Sequence, residues 1–206
     1  MPFAITVPVM GLREMNAART RKHLVTTAFE LFAEKGYDGT TMEDVATRAD
    51  VGVSTLYRYF PTKEALGISI LGSPTLMADA LRERPADESP EVGLGHAVVA
   101  FLEHVEDEPR HAEAFGEIVE TNVRVRAGML EWLAEAHGQL ATALAERRGV
   151  PTDDHGAAAS AWLAILVVQR MAVVAQEGDT RTGPQIAAEV MQALNAGPIL
   201  PPRLDT

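Results

Sequence analysis

Side chains with chemistry to offer follow one another late in the first third of the chain: Ser54, Thr55, Tyr57, Arg58 and Tyr59. Small hydroxyls, phenols and one guanidinium on a helix of roughly two turns suit a DNA major groove flanked by phosphates. Hydroxyl and phenol groups donate to phosphate oxygens, and short side chains reach base edges. Enzyme chemistry has no comparable foothold. With no cysteine, the chain has no thiol nucleophile, disulfide framework or zinc knuckle, and no Ser, His and acid arrangement sits in a nucleophile-elbow context.

Such a helix must be held by others, and the flanking residues supply them. Thr41 can N-cap a first short helix whose apolar residues Met42, Val45, Ala46 and Ala49 recur at helical spacing, and Asp50-Val51-Gly52 interrupts the pattern. From Val53 a second helix begins, with Val53, Leu56 and Phe60 on one face. Upstream, Arg19 to Lys35 reads as a helix with a broad stripe of Leu24, Val25, Ala28, Phe29, Leu31 and Phe32, closed by Gly36, while residues 1–17 read as a loose arm. Downstream, Thr62 N-caps a fourth helix expected to run through Leu66 and Ile70 towards Leu81, broken near Gly72 to Pro74.

From about Ala18 to Leu71 the chain resembles the N-terminal domain of TetR-family transcriptional regulators. Three segments carry the resemblance: Phe32-Ala33-Glu34-Lys35-Gly36-Tyr37, Thr40-Thr41, and Thr55-Leu56-Tyr57-Arg58-Tyr59-Phe60-Pro61-Thr62-Lys63-Glu64-Ala65-Leu66. It implies that Thr41, Tyr57, Tyr59 and Lys63 bind phosphates while Val53, Ser54 and Thr55 face base edges. Two positions depart from the family pattern. Asp50 stands where Gly is usual, and Asp tolerates left-handed backbone; Gly52 stands where Ser or Thr is usual, so no side-chain contact is expected there.

At 206 residues with 47% hydrophobic content the chain can bury a sizeable core, and its Ala-, Leu- and Glu-rich composition favours an all-α fold. The net charge of −11 is unevenly distributed. Residues 1–63 hold eight Lys/Arg against seven Asp/Glu, whereas residues 64–206 hold ten against twenty-two. A near-neutral head with Arg13, Arg19, Arg21, Lys22, Arg48, Arg58 and Lys63 can still present a basic face, and the acidic body would be repelled by phosphate. Pro2 and Pro8 interrupt the apolar start, which argues against a signal peptide. Ser160, Gln169 and Arg170 interrupt the apolar run from Ala157 to Ala175, which argues against a membrane span. Cytoplasmic residence fits both.

The expected organisation is a flexible arm at 1–17, a helix-turn-helix DNA-binding domain at 18–71, a helical effector-binding and dimerisation domain at 72–196, and a Pro-rich tail at 197–206. Body helices are expected at about 91–107, 110–126, 128–148, 154–177 and 184–195, with Arg82 to Pro90 as a loop. The resemblance places a ligand cavity among the middle helices, making Phe101, Met129, Trp132 and Trp162 candidate lining residues for a small-molecule effector. It also places a homodimer interface on the helices near 154–177 and 184–195, where Ala157, Ala158, Ala161, Ala164, Ala187 and Ala188 permit close approach and Leu163, Ile165, Val168, Val190 and Leu194 supply apolar area. His96, His104 and His111 with nearby acids invite a metal reading, but Pro109 breaks the helix that would align them, and neither metal nor cofactor is expected. The function implied is a dimeric, ligand-released repressor on a palindromic operator. The rival is a helical small-molecule-binding protein or enzyme whose head does not bind DNA.

Overall fold

The computed structural model describes residues 11–106, 109–176 and 181–196. Among them lie ten α-helices, as the composition requires. The chain divides into two compact units, Met1–Gly67 and Ile68–Thr206.

Unit 1 contains α1 (Leu12–Lys35), α2 (Met42–Arg48), α3 (Val53–Tyr59) and α4 (Lys63–Gly67). Leu24, Ala28, Phe29, Leu31 and Phe32 of α1 are buried with Met42, Val45, Ala46, Leu56, Phe60 and Leu66. Each fully buried Leu or Phe contributes about 1.5–3 kcal/mol, so this small core holds three short helices that would not persist alone. Phe29 and Phe32 meet edge to face at 5.4 Å, and Tyr37 continues the aromatic row 5.0 Å from Phe32. Gly36, at φ +76, ends α1 in the left-handed conformation that glycine adopts without strain. Buried Thr40 reinforces that end, its hydroxyl 2.9 Å from the Gly36 carbonyl oxygen and 3.3 Å from that of Leu31.

Three expectations need correcting. Helix α1 begins at Leu12, so residues 12–17 are helical; the rest of the expected arm lies outside the described residues, save Gly11. Val53 does not join Leu56 and Phe60 in the core: it opens α3 and is exposed, because a residue in the first turn lies beyond the reach of α1. The fourth helix is not continuous to Leu81. Thr62 does cap α4, its Oγ1 accepting from the Ala65 amide at 3.0 Å, but α4 stops at Gly67. A 3-10 turn at Ser69–Leu71 follows, and α5 (Leu76–Arg82) starts only after Gly72.

In unit 2, α6 (Pro90–Glu106), α7 (Pro109–Thr121), α8 (Val123–Arg148), α9 (His155–Gln176) and α10 (Gly183–Ala196) follow α5. Helix α8 is the axis, packing against α5, α6, α7 and α9, while α10 lies on α6 and α9. Its core includes Met77, Leu81, Val98, Phe101, Leu102, Leu140 and Leu144. The expected boundary near residue 127 falls instead at Asn122, whose Oδ1 accepts from the Arg124 and Val125 amides, both at 3.1 Å. A side-chain cap outcompetes the weak break that Gly128 offers. The 83–89 loop, expected from its prolines and charges, is tied down by Arg147, which donates to the carbonyls of Pro85 at 2.6 Å and Glu88 at 2.8 Å. The expected tail at 197–206 lies outside the described residues.

Candidate nucleic-acid interface

Helix α2 owes its start to a reciprocal cap. The Asp44 amide donates to Thr41 Oγ1 at 3.0 Å, and both the Thr41 amide and hydroxyl donate to Asp44 Oδ2, at 2.9 and 2.8 Å. These bonds hold the Asp44 carboxyl below its ordinary value, the Thr41 amide first among the causes. They also occupy the Thr41 hydroxyl proton that a phosphate would need. Helix capping and phosphate binding by that group therefore compete.

The turn is specified residue by residue. Asp50 takes φ +54, the left-handed conformation for which its side chain is suited. The Val51 amide reaches back to Ala46 O at 3.0 Å, and Gly52 caps α3 without a side-chain bond, as its lack of a side chain requires. His23 of α1 joins the turn, its Nε2 3.2 Å from Ala49 O. With Leu56 and Phe60 buried beneath, α3 turns Val53, Ser54, Tyr57 and Arg58 outward, Tyr57 being 43% exposed, and Thr55 and Tyr59 are half-buried. Arg58 lies over the Tyr59 ring, 5.6 Å from its centroid.

The basic face is smaller than the count of cations suggests. Arg48 is held by Glu34 through two bonds, at 3.2 and 2.9 Å, which neutralise it. Lys63 donates to the Tyr37 carbonyl and lies 4.1 Å from the centre of that ring. Burial lowers the Lys63 pKa, against the pull of Asp38 and Glu64. Sequence reasoning missed Thr40, Asp44 and Tyr37 as the residues that fix this geometry. Asp44 was legible, since Thr-x-x-Asp before an apolar run is a capping-box signature.

In unit 2 the four candidate lining residues do not converge. Phe101 and Trp132 are buried against each other with ring centres 5.5 Å apart, and the Trp132 indole donates to Gly72 O at 3.1 Å. Met129 is half-buried one turn before Trp132. Trp162 is 50% exposed on α9 and stacks on His137 at 4.2 Å, so it lines no interior space with the others. Ala157, Ala161, Ala164, Ile165 and Ala187 are buried within the unit and offer nothing to a partner; the exposed apolar stripe of α9 is Trp162, Leu163 and Leu166. Among the described residues no three His, Asp or Glu side chains could hold a metal ion. No helix among them is long and apolar enough to cross a membrane.

A capped two-helix reader with an outward polar face, beside a separate helical unit, defines a helix-turn-helix DNA-binding protein. Comparison with known proteins narrows the class. Residues 24–69 match the sequence profile of the bacterial regulatory proteins of the tetR family. The HTH-type transcriptional regulator TcmR of Streptomyces glaucescens is 33% identical over 151 residues, 70% of this chain and 67% of that protein. The HTH-type transcriptional repressor KstR of Mycobacterium tuberculosis is 42% identical over 66 residues, 32% of this chain and 30% of that protein. In fold, the chain is similar to the transcriptional regulator FadR of Bacillus subtilis, crystallised with stearoyl-CoA, with a TM-score of 0.60, 16% identity and coverage of 84% of this chain and 96% of that one. The chain belongs to the tetR family and is a helix-turn-helix transcriptional regulator.

Proposed function

We propose that this regulator is a cytoplasmic repressor that grips a palindromic operator as a homodimer and is released by a small apolar molecule. The observation that carries the reading is the face of α3: Val53, Ser54, Tyr57 and Arg58 point outward from a helix fixed at its base by Leu56 and Phe60. In it Val53, Ser54 and Thr55 read bases, and Tyr57, Tyr59 and Lys63 bind phosphates. Thr41 contributes through its cap on α2, and its hydroxyl reaches a phosphate only by giving up Asp44. The organisation proposed is a DNA-binding region at 18–71 and an effector and dimerisation region at 72–196.

Two-fold operators require two-fold readers, with recognition helices about 34–36 Å apart. The stripe of Trp162, Leu163 and Leu166 on α9, with half-buried Val190 and Leu194 on α10, supports the pairing of those helices with their copies. Effector binding near Phe101, Met129 and Trp132 would act by population shift, favouring one spacing of the readers through the jointed segment from α4 to α5. The stearoyl chain of the acyl-CoA crystallised with FadR supports an effector with a long apolar part. The test is a mobility-shift titration with DNA from the flanks of the gene that encodes the chain. Saturable binding that favours one fragment over random duplex supports the reading, and indifference to sequence at low and high salt sinks it in favour of a head that no longer reads DNA.

A further inference from the structure

Helical geometry divides the outer surface of α3 into rows. At about 100° per residue its side chains pair one turn apart, Val53 with Tyr57, Ser54 with Arg58, and Thr55 with Tyr59. Leu56 is fully buried beneath them, about 160° round the axis from both Ser54 and Arg58. Exposure follows the same order. Ser54 and Arg58 are exposed, Val53 and Tyr57 are 37% and 43% exposed on one flank, and Thr55 and Tyr59 are half-buried on the other. The row of Ser54 and Arg58 is therefore the crest of the helix.

Arg58 also differs from the other cations near the reader. Glu34 neutralises Arg48, and the Tyr37 carbonyl engages Lys63, whereas among the described residues no carboxylate pairs with Arg58. Its guanidinium lies 5.6 Å from the centre of the Tyr59 ring. A planar, permanently charged fork resting against a ring is partly oriented in advance, and its N–H donors stay free for a partner.

We propose that Arg58 determines sequence preference by reading a guanine, its guanidinium donating to O6 and N7 of that base in the major groove. The inference rests on the DNA-binding reading above, in which Tyr57 and Tyr59 bind phosphates. A helix in the major groove lies between two backbones about 12 Å apart. Tyr57 and Tyr59, each about 100° from Arg58 and on opposite sides of it, face the two walls, which leaves Arg58 aimed at the floor where the base edges lie. Its length suits its place. The first residues of a recognition helix come closest to the bases, so Ser54 needs only a short side chain, and a reader one turn later needs a long one. A phosphate contact by Arg58 would instead require the side chain to turn past one of the tyrosines.

The experiment first selects bound fragments from a random duplex pool with the unmodified full chain, then follows the enriched half-site by fluorescence anisotropy. That half-site should contain a guanine whose replacement by adenine weakens the unmodified protein about 5- to 150-fold, the range expected for one bidentate pair. Replacement by 7-deazaguanine, which removes only the N7 acceptor, should weaken it in the same direction. Arg58→Ala should be indifferent to both replacements while keeping its urea midpoint, and on random duplex its affinity and salt slope should match those of the unmodified protein. A half-site without such a guanine overturns the proposal, as does an alanine variant that still discriminates at it. So does a salt slope on random duplex lower by about 0.9, which would make Arg58 a phosphate contact. If the unmodified protein enriches no sequence at all, the DNA reading itself falls; if it enriches one that ignores Arg58, only this assignment does.

Discussion

Lys63 lies across the face of Tyr37, its Nζ 4.1 Å from the ring centre, and the same ammonium donates to the Tyr37 carbonyl. The Tyr37 phenol is buried without a hydrogen-bond partner, and burial, helped by Glu64 and Asp38, pushes its pKa well above the usual range. One cation thereby docks the start of α4 onto the loop between α1 and α2, while two of its three N–H groups remain to be placed.

The two roles of Lys63 separate by substitution. Lys63→Met keeps the apolar stem over the ring and removes the charge, so the DNA salt slope should fall by about 0.9. Both variants lose the bond to the Tyr37 carbonyl, and Lys63→Ala should show the same fall in slope and, in addition, lose about 1 kcal/mol of stability because no stem packs on the ring. Anisotropy and urea unfolding read the two effects. If neither variant changes the slope, Lys63 serves Tyr37 alone.

Asp50 holds φ +54, where a Cβ is strained. Asp50→Ala should cost about 1–2 kcal/mol because Ala cannot bond locally to offset that strain, whereas Asp50→Gly should stay close to the unmodified protein. The urea midpoint of the first unit decides it. A tolerated alanine would show that the turn relaxes to another backbone.

These two positions also show how far residue types carried the fold. Asp50 and Gly36 announced their backbone in the sequence, because few residues tolerate a positive φ, and Leu56 and Phe60 announced their burial by spacing. Val53 and Trp162 did not. Both are apolar at helical positions, and periodicity cannot distinguish a side chain facing its own core from one facing outward. The break after Gly67 was equally hidden, since Ile68, Ile70 and Leu71 continue an apolar helical pattern. Only their packing in the second unit shows a tighter turn there. The expected phosphate donors were chosen by residue type, but Thr41 and Lys63 are already engaged by Asp44 and Tyr37, and Arg48 of the basic face by Glu34, partners that geometry rather than composition supplies.

Acid should loosen the first unit. Thr41 depresses the folded pKa of Asp44, and Arg48 that of Glu34, through hydrogen bonds to the ionised carboxylates. A depressed carboxylate contributes stability that is present above its unfolded pKa, near 4, and lost as pH falls through the folded value. Asp44→Asn should therefore be less stable than the unmodified protein at neutral pH, and the difference should close as pH falls below the unfolded value near 4. Urea midpoints at the two extremes test it; a gap that persists in acid would mean that Asp44 does not act through its charge.

On α9, Leu166 is 47% exposed within the stripe of Trp162 and Leu163. Leu166→Glu should yield a monomer in sedimentation at micromolar concentration, because a charge buried without a partner in a pairing face costs several kcal/mol. Operator affinity should fall with it, while helix content stays unchanged. A dimer that survives this change and the equivalent one at Leu163 would place the interface elsewhere.

The Trp132 indole donates to Gly72 O, and Gly72 itself sits at φ +69 with His104 Nε2 only 2.7 Å from where a Cβ would be. Three elements meet there: α6 through Phe101 and His104, α8 through Trp132, and the turn that precedes α5. Gly72→Ala should cost about 1–3 kcal/mol from dihedral strain together with the clash, and should shift Trp132 emission as the indole loses its carbonyl. An effector that binds beside Phe101 and Trp132 should produce a similar spectral change in the unmodified protein. Trp162→Phe should preserve that change because Trp162 lies on an exposed face. Reciprocity then fixes the coupling: operator DNA must weaken effector binding by the same factor that effector weakens operator binding, typically 5- to 150-fold. A molecule that alters Trp132 emission yet binds equally well with and without saturating operator occupies the site without working the switch.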